Sequence, residues 1–418
     1  MESKRIGFVS TRLAGMDGVS LETDKWSDIF EEDGHECYYM AGELDTHPER
    51  SFLVPECHFL HPDILETYRG CFDRERRDPA MTMEVERIKH YLKGQMLRFV
   101  DAYDLDLLIP ENALTIPLNI PLGLAIAEFA VETGMPMIAH HHDFFWERKR
   151  LSRNAAWDYL NKAFPPHLPN IQHTVLNSSQ DNQLSLRTGI SAQIVPNVMD
   201  FANPPVVADN YASDLRESLG IAPDEKFLLQ PTRIVPRKGI EHAVELAHRL
   251  EMPAKLVISH ASGDEGDEYF NRIREYADLL KVPVIFCSER IGEHRGVTES
   301  GEKIYSLGDL YRSCDLVTYP SLIEGFGNAF LEAIYYQRPL MVNNYAIYHC
   351  DIGPKGFQVV LMDEYVSSDT VRQARETLTD PALGAAMAKT NYELANRFFS
   401  YEAIAPKLHS MLANAFGV

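Results

Sequence analysis

The chain has 418 residues, 45% hydrophobic and 24% charged, a length that suits about two or three globular domains. Its 61 acidic and 40 basic residues leave a net charge of −21, which argues against a nucleic-acid-binding protein. The six cysteines include no CxxC pair, so we expect reduced thiols and a cytoplasmic location.

Predicted strands and helices alternate along the chain. Short apolar runs predict strands at RIGFVS, DLLIP, PMIAHHH and HTVLNS, and a second series at KFLLQPT, AKLVISH, VPVIFCS, DLVTYP and RPLMVNN. A polar turn and a helix-period segment follow each strand, which is typical of a parallel sheet covered on both faces. The segment from Gln193 to Asn210, with three prolines, is interpreted as a linker region. The sequence therefore predicts an α/β protein with two doubly wound, Rossmann-like domains.

Ligands of open α/β sheets bind at the carboxyl ends of the strands, so we expect the function to lie in those loops and in a cleft that both sheets line. The first such loop carries Gly15 and Gly18 before a helix but lacks the GxGxxG spacing of a dinucleotide site. It either closes on a phosphate or simply turns the chain.

A basic cluster follows the predicted strand KFLLQPT. Arg233, Arg237 and Lys238 precede Gly239 and a helical segment. An Arg fork beside a compact Lys charge suits a diphosphate. The alternative is a solvated helix start, which is disfavoured because cations at a helix N-terminus oppose its dipole.

The stretch SLIEGFGNAFLEA places Glu324 and Glu332 on either side of a glycine-rich corner. A buried strand from Leu316 to Tyr319 is predicted before it, and a helix from NAFLEAIYYQ after it. Glycines there let the backbone approach a ligand, and the helix aims its free N–H groups at the same place. The alternative makes Glu332 a first-turn partner of the helix dipole and Glu324 a solvated loop residue.

Together these motifs resemble the retaining nucleotide-sugar glycosyltransferases of family 4, which have the GT-B fold, over nearly the whole chain. The most specific marks are Arg233 with Lys238-Gly239 and the E-x7-E element from Glu324 to Glu332. The departures are local: Gln337-Arg338 replaces a usual glycine, and PNV replaces PNG. We expect an acceptor-side domain at 1–197, a donor-binding domain at 198–398, and a terminal helix at 399–418 that packs back on the first.

The resemblance implies roles for individual residues. Arg233 and Lys238 would hold the donor diphosphate, Glu332 the nucleotide ribose, and Glu324 the transferring sugar. The catalytic set it implies is His142, Glu324, Arg233 and Lys238. It also implies that the donor is contacted by Gly325, Phe326, Gly327, Asn328 and Gly18.

The segment MIAHHHDFFWERKRLSR is similar to the family's His-Asp loop. His140 and His142 share one strand face and His141 the other, a spacing that we interpret as poor for a metal site. The resemblance favours His142 for contact with substrate, with His141 as the alternative on the acceptor side. A histidine satisfied within the core is the structural alternative.

The acceptor is expected to carry phosphate or carboxylate. This expectation rests on the densest basic run of an acidic chain, for which a solvated helix face is the alternative. Asn112 and Asn119 lie at another predicted strand end, and Asn112 is expected to line the acceptor side. The basic run consists of Arg148, Lys149, Arg150 and Arg153.

We therefore expect a retaining transfer of a hexose from a nucleotide sugar, of the GDP-mannose or UDP-glucose type, to a hydroxyl of a small anionic acceptor. In the front-face reaction of this family the departing diphosphate takes the acceptor proton. Arg233 and Lys238 would stabilise the leaving group, so neither a metal nor another cofactor is expected. No nucleic-acid partner is expected, and a homodimer is compatible with the sequence.

Three alternatives share this architecture: a nucleotide-sugar epimerase, a non-catalytic nucleotide-sugar sensor, and a membrane-associated lipid glycosyltransferase. The last is suggested by VERIKHYLKGQMLRFV, where basic and apolar residues interleave, although the acidic total disfavours it. The basic residues are Arg87, Lys89, Lys93 and Arg98, and the apolar ones Ile88, Leu92 and Phe99.

Overall fold

A computed structural model describes residues 2–15, 17–205, 209–262 and 266–417. It divides into two compact units: unit 1 is Met1–Pro196 together with Ile404–Val418, and unit 2 is Asn197–Ala403. Residue 16 of the predicted first loop and residues 206–208 of the predicted linker lie outside the described residues.

Unit 1 is built on a parallel sheet of seven strands in the order β3-β2-β1-β4-β5-β6-β7. The strands are β1 (Arg5–Val9), β2 (Glu36–Ala41), β3 (Ser51–Leu53), β4 (Leu107–Pro110), β5 (Met137–His141), β6 (Ile171–Val175) and β7 (Gln193–Ile194). The helices are α1 (Gly18–Glu32), α2 (Pro62–Cys71), α3 (Pro79–Tyr103), α4 (Ile120–Thr133), α5 (Trp157–Ala163) and α6 (Ser178–Thr188).

Local sequence signals account for these elements. Every residue of β4 and β5 is buried, as expected for central strands covered on both faces. Asn119 caps α4 by accepting a hydrogen bond from the Leu122 amide at 3.0 Å, and Gly134 ends that helix in the left-handed region. Strands β2, β3 and β7 were not predicted from the sequence, and β7 lies at the start of the predicted linker.

Unit 2 has a parallel sheet of six strands in the order β10-β9-β8-β13-β14-β15 and a separate antiparallel pair, β11-β12. The strands are β8 (Lys226–Gln230), β9 (Ala254–Ile258), β10 (Val284–Phe286), β11 (Gly296–Val297), β12 (Lys303–Ile304), β13 (Leu316–Tyr319), β14 (Leu340–Asn343) and β15 (Val360–Met362). The helices are α7 (Leu215–Ser218), α8 (Ile240–Arg249), α9 (Glu268–Leu280), α10 (Leu307–Ser313), α11 (Asn328–Tyr335), α12 (Ser368–Thr379) and α13 (Pro381–Phe399). The predicted fold class, two doubly wound parallel α/β domains, is confirmed.

The last helix, α14 (Tyr401–Phe416), packs on unit 1 from Ile404 onward. Gln172 of β6 donates a hydrogen bond to the Met411 carbonyl at 2.7 Å, and Lys407 donates to the Ile194 carbonyl at 2.7 Å. Unit 1 is therefore formed by two segments of the chain, one before and one after unit 2 in the sequence.

The amphipathic helix α3 lies against the core of unit 1. Ile88, Leu92 and Phe99 are at most 2% exposed, and Lys89 and Lys93 form ion pairs with Glu128 of α4. The apolar face of α3 that suggested a membrane-associated enzyme is thus buried in the core of unit 1. No helix in the described part of the chain is both long and apolar enough to cross a bilayer.

In each sheet the strand order reverses beside the first strand, between β1 and β4 in unit 1 and between β8 and β13 in unit 2. Loops at the carboxyl ends of such neighbouring strands diverge and leave room for ligands. The candidate residues of both units lie at or after the carboxyl ends of strands β1, β4, β5, β8, β9 and β13.

Candidate functional site

The loop after β8 approaches the loop after β13 through a glycine. Gly239 follows a short 3-10 turn, Pro236–Lys238, and has φ of +59°. A Cβ at this position would lie 2.6 Å from the Pro320 carbonyl oxygen, so a larger residue would force the two loops apart. Gly239 therefore lets Lys238 reach the end of β13.

Glu324 lies between two cations of the neighbouring loop. Lys238 donates a hydrogen bond to its Oε1, and Arg237 Nη1 lies 3.3 Å from Oε2. The Glu324 side chain is 9% exposed and that of Lys238 12%. Burial alone would raise the pKa of Glu324, but Lys238 and Arg237 hold it below its ordinary value. Glu324 is therefore an ionised, largely buried carboxylate rather than a solvated loop residue.

One further cation and one neutral histidine lie at this edge of unit 2. The Arg233 side chain is exposed and makes no hydrogen bond or ion pair with any described residue. His260 follows β9, and burial, reinforced by Lys238 and Arg233, lowers its pKa to about 4. His260 ends the strand predicted at AKLVISH but was not among the predicted site residues. Arg233 is therefore open to an anion beside Lys238.

The glycine-rich corner after β13 is fixed by close packing. Gly327 has φ of +123°, and a Cβ there would meet the Tyr319 hydroxyl at 2.7 Å. Phe326 is 3% exposed and packs edge-on against Phe399, so its ring belongs to the core. The carbonyl of Phe326 accepts a hydrogen bond from Tyr345 at 2.6 Å, and the Asn328 side chain bonds to Asn197. Within this predicted donor-binding segment, the Phe326 ring packs in the core and is not accessible to a ligand.

Glu332 is the fifth residue of α11 and lies beyond its first turn. It accepts a hydrogen bond at 2.8 Å from the hydroxyl of Tyr311, a fully buried residue of α10. Burial, with Glu332 next, raises the pKa of Tyr311 well above its ordinary value, so this hydroxyl stays a donor. The interpretation of Glu332 as a first-turn dipole partner is wrong, and its partly exposed carboxylate is held in one orientation.

In unit 1, Glu111 and two histidines meet where β4 and β5 end. Oε2 of Glu111 lies 3.0 Å from Nδ1 of His140 and 3.2 Å from Nε2 of His142. Burial raises the pKa of Glu111 to about 7, and it lowers that of His140 to about 3 and that of His142 below its ordinary value. Among the described residues, these three form the group whose ligand atoms, all within 4.8 Å of one another, could hold a metal ion. Glu111 directly precedes Asn112 in the sequence but was not among the predicted site residues.

Asn112 anchors the histidine loop instead of facing a ligand. Its Oδ1 accepts hydrogen bonds from the His142 amide at 3.2 Å and from the Thr115 hydroxyl at 2.6 Å. Its Nδ2 donates to Asp143 at 3.2 Å. Both ends of the side-chain amide are therefore occupied by protein groups, which does not fit the expected acceptor contact.

His141 belongs to the core of unit 1. Its side chain is 0% exposed, and Nε2 lies 2.8 Å from Nδ1 of His173 on β6. The strand alternation that places His142 at the site turns His141 to the opposite face, which helices cover. The structure gives an acceptor no access to His141, so the core alternative describes this residue.

The basic run divides into paired and unpaired cations. Arg148 pairs with Asp143, and Arg153 lies 3.4 Å from Asp73 and 3.6 Å from Glu75. Lys149 and Arg150 are exposed, and their side chains form no hydrogen bond or ion pair with the described residues. Lys149 and Arg150 are therefore the members of the run that remain open to an anion.

Gly18 opens α1, but Asp17 already caps that helix. The Asp17 carboxylate accepts a hydrogen bond from the Val19 amide at 3.0 Å and lies 2.9 Å from Arg12. A resident carboxylate at the helix N-terminus competes with a ligand phosphate. The geometry therefore gives no direct support to the expected donor contact at Gly18.

Comparison with known proteins relates the whole chain to sugar-transferring enzymes. Residues 212–394 match the family profile described as glycosyl transferases group 1. Mannosylglucosylglycerate synthase of Thermotoga maritima is 30% identical, over 96% of this chain and 97% of the relative. The enzyme of the same name from Petrotoga mobilis is 31% identical, over 85% of this chain and 86% of the relative.

Comparison of structures gives the same fold. The HepE protein of Anabaena in complex with UDP-glucose superposes with a TM-score of 0.66 at 13% identity, over 98% of this chain and 100% of that one. At this identity the likeness concerns the fold, and it identifies the two parallel-sheet units as those of the GT-B fold.

Proposed function

The chain belongs to the glycosyl transferases group 1 family, and from this premise we propose that it is a retaining hexosyltransferase that extends a sugar glycoside of glycerate. The donor would be a nucleotide sugar of the GDP-mannose or UDP-glucose type. The relatives' name describes a product that contains mannose, glucose and glycerate, which favours a mannosyl donor and a glucosylglycerate acceptor. Glycerate carries a carboxylate, the kind of anion expected from the basic run. We include a cytoplasmic location in the proposal because reduced thiols are typical there.

The observation that carries the proposal is the cluster formed by Lys238, Arg237 and Glu324 with exposed Arg233 beside it. Cations held at the carboxyl ends of β8 and β13 suit a diphosphate, and a leaving diphosphate needs positive charge most when its bond to the sugar breaks. Glu324 and the oriented carboxylate of Glu332 would accept hydrogen bonds from sugar hydroxyls. With Glu332 on the ribose, the site offers no pair of carboxylates for the double-displacement route of retaining glycosidases. We therefore propose front-face transfer without a metal.

Mass spectrometry tests this function directly. The protein is incubated with GDP-mannose or UDP-glucose and with glucosylglycerate, glycerate or a phosphorylated glucosylglycerate. We expect one hexose to be added to glucosylglycerate, and NMR of the product should show the anomeric configuration of the donor. An inverted linkage would contradict retention, and absence of transfer from either donor to any of the three acceptors would contradict the proposed function.

A further inference from the structure

One buried carboxylate serves two imidazole rings in unit 1. Glu111 is 0% exposed, and a backbone bridge aligns it with His140 on the neighbouring strand. His140 Nδ1 lies 3.0 Å from its Oε2 and 3.2 Å from its Oε1, and His142 Nε2 lies 3.2 Å from Oε2. Trp26 stacks on the His140 ring with 4.0 Å between ring centroids and restricts its rotation.

This geometry determines which ring nitrogens carry protons. A neutral imidazole has one N–H donor and one lone-pair nitrogen. His140 Nδ1 forms its hydrogen bond with Oε1 at 3.2 Å, and His142 Nε2 forms one with Oε2 at 3.2 Å. When Glu111 is ionised, both of its oxygens can only accept, so His140 Nδ1 and His142 Nε2 are then the protonated nitrogens. His140 Nε2 is buried without a hydrogen-bond partner, and unpaired buried N–H groups are rarer than unpaired acceptors. The orphaned atom is thus the lone-pair nitrogen, as this tautomer requires.

His142 therefore presents an acceptor at its open atom. Nδ1 makes no hydrogen bond to any described residue, and the side chain is 10% exposed. The backbone is held on both sides, because Asn112 accepts from the His142 amide at 3.2 Å and Gln180 donates to the His142 carbonyl at 2.9 Å. The ring cannot turn its other nitrogen outward without leaving Glu111.

We propose that Glu111 is a positioning residue, which fixes His142 in the tautomer whose Nδ1 accepts a hydrogen bond from a hydroxyl of the sugar substrate. The identity of the hydroxyl donor rests on the proposed function, whereas the tautomer rests on the structure alone. Glu111 itself touches no substrate. Its effect on transfer passes through His142.

Nitrogen NMR of histidine-labelled protein tests the tautomer at mildly alkaline pH, with the His142 signals assigned by their loss in His142→Ala. We expect the parent to carry the proton on Nε2. The Glu111→Gln variant, whose amide accepts through one atom only, should populate both tautomers of His142. The His140→Phe variant keeps a ring on Trp26 and leaves Glu111 to His142, so it is the matched control and should keep the parent tautomer. A parent with the proton on Nδ1, or a Glu111→Gln variant with an unchanged tautomer, would overturn the proposal.

A double-mutant cycle tests the kinetic role. We expect Glu111→Gln to lower kcat by about 30-fold, the loss of one oriented hydrogen bond, with nucleoside diphosphate affinity unchanged. In the Glu111→Gln/His142→Ala double variant, kcat should match that of His142→Ala within about twofold. If the double variant instead loses kcat by the product of the two single-variant factors, Glu111 acts independently of His142 and the proposal is overturned. Stoichiometric bound metal that shifts the NMR signals of both rings would make Glu111 a metal ligand, which also overturns the proposal.

The two proposals fail separately. A parent without transfer activity contradicts the proposed function, yet its NMR spectrum still decides the tautomer. If Glu111→Gln does not fold, Glu111→Asp, whose carboxylate is one methylene shorter, takes its place in both tests. The parent tautomer is measured without any variant of Glu111.

Discussion

Lys238 donates a hydrogen bond to Glu324 across 86 positions of the chain. The contact joins the basic loop after β8 to the glycine-rich loop after β13, at the point where the strand order of unit 2 reverses. Because both side chains are largely buried, a variant of Lys238 changes both the ligand site and the folded state. Arg233, exposed and unpaired among the described residues, separates the two effects.

The first prediction uses this difference. Arg233→Ala should lower kcat/KM by about 30-fold, the loss of one charge-assisted contact of about 2 kcal/mol, with an unchanged melting temperature. Lys238→Met should lower kcat/KM at least as much and also reduce the free energy of unfolding by about 3 kcal/mol, because the buried carboxylate of Glu324 then has Arg237 as its remaining ion-pair partner. Steady-state kinetics and thermal denaturation of both variants provide the measurements. Near-parental turnover in Arg233→Ala would remove that residue from the diphosphate site.

The second prediction concerns the acceptor. Replacing both Lys149 and Arg150 by Gln should raise the acceptor KM by about tenfold, since these cations are free to meet its carboxylate. Arg153→Gln should raise it less, because Asp73 and Glu75 already offset that charge. The donor KM should not change, and Lys162→Gln, an exposed cation of the same unit, is the control. Equal acceptor KM values for the double variant and the control would show that the basic run is a solvent-exposed surface that does not bind the acceptor.

The third prediction concerns metal ions. Activity should survive EDTA, because Arg233 and Lys238 supply the positive charge at the leaving group and Glu111 is occupied by two histidine rings. Transfer is measured after dialysis against the chelator and again after addition of Mg²⁺ or Mn²⁺. Loss of activity that either ion restores would show that the reaction requires a metal.

The fourth prediction concerns pH and stability. Burial alone would raise the pKa of Glu128, but Lys89 and Lys93 lower it from 4.5 to about 2. A depressed carboxyl pKa stabilises the folded state above pH 4.5, and the contribution disappears as the pH falls from there to about 2. Glu128→Gln should reduce the free energy of unfolding at neutral pH by about 1 to 3 kcal/mol and flatten its decline over that range. Chemical denaturation at several pH values measures this.

Glu132→Gln is the matched control for that experiment. Glu132 pairs with Lys93 at 2.8 Å, but its side chain is 52% exposed, so solvent screens the pair. We expect a smaller loss of stability than in Glu128→Gln. An equal loss in both variants would show that burial does not distinguish the two ion pairs.

Elements whose signals are local could be predicted from the sequence. The predicted strand from Leu316 to Tyr319 coincides with β13, and the helix after the glycine-rich corner is α11. The signals there are a short β-branched run that ends in Pro320 and glycines that fit only a tight turn. Strands β2 and β3 were not predicted because Tyr38, Met40 and Phe52 lie in short segments without a regular alternation of apolar and polar residues.

Relationships between distant segments could not be predicted. Glu111 meets His142 because β4 and β5 are neighbours in the sheet, and a single sequence does not give strand order. Alternation along β5 places the His141 side chain on the opposite face of the sheet from those of His140 and His142. Only the fold shows that the hydrogen-bond partner of His141 is His173 and not a ligand. The same limit hid His260, whose charged neighbours Lys238 and Arg233 lie in the loop after β8.

Helix α14 has a consequence for the order in which the protein is made. From Ile404 onward it belongs to unit 1, with Leu408, Met411 and Leu412 buried there. A ribosome completes all of unit 2 before it releases these residues, so the nascent first unit carries an uncovered apolar surface throughout that interval. Unit 2 is in effect an insertion within unit 1, and unit 1 reaches its final packing only after all of unit 2 and helix α14 have been synthesised.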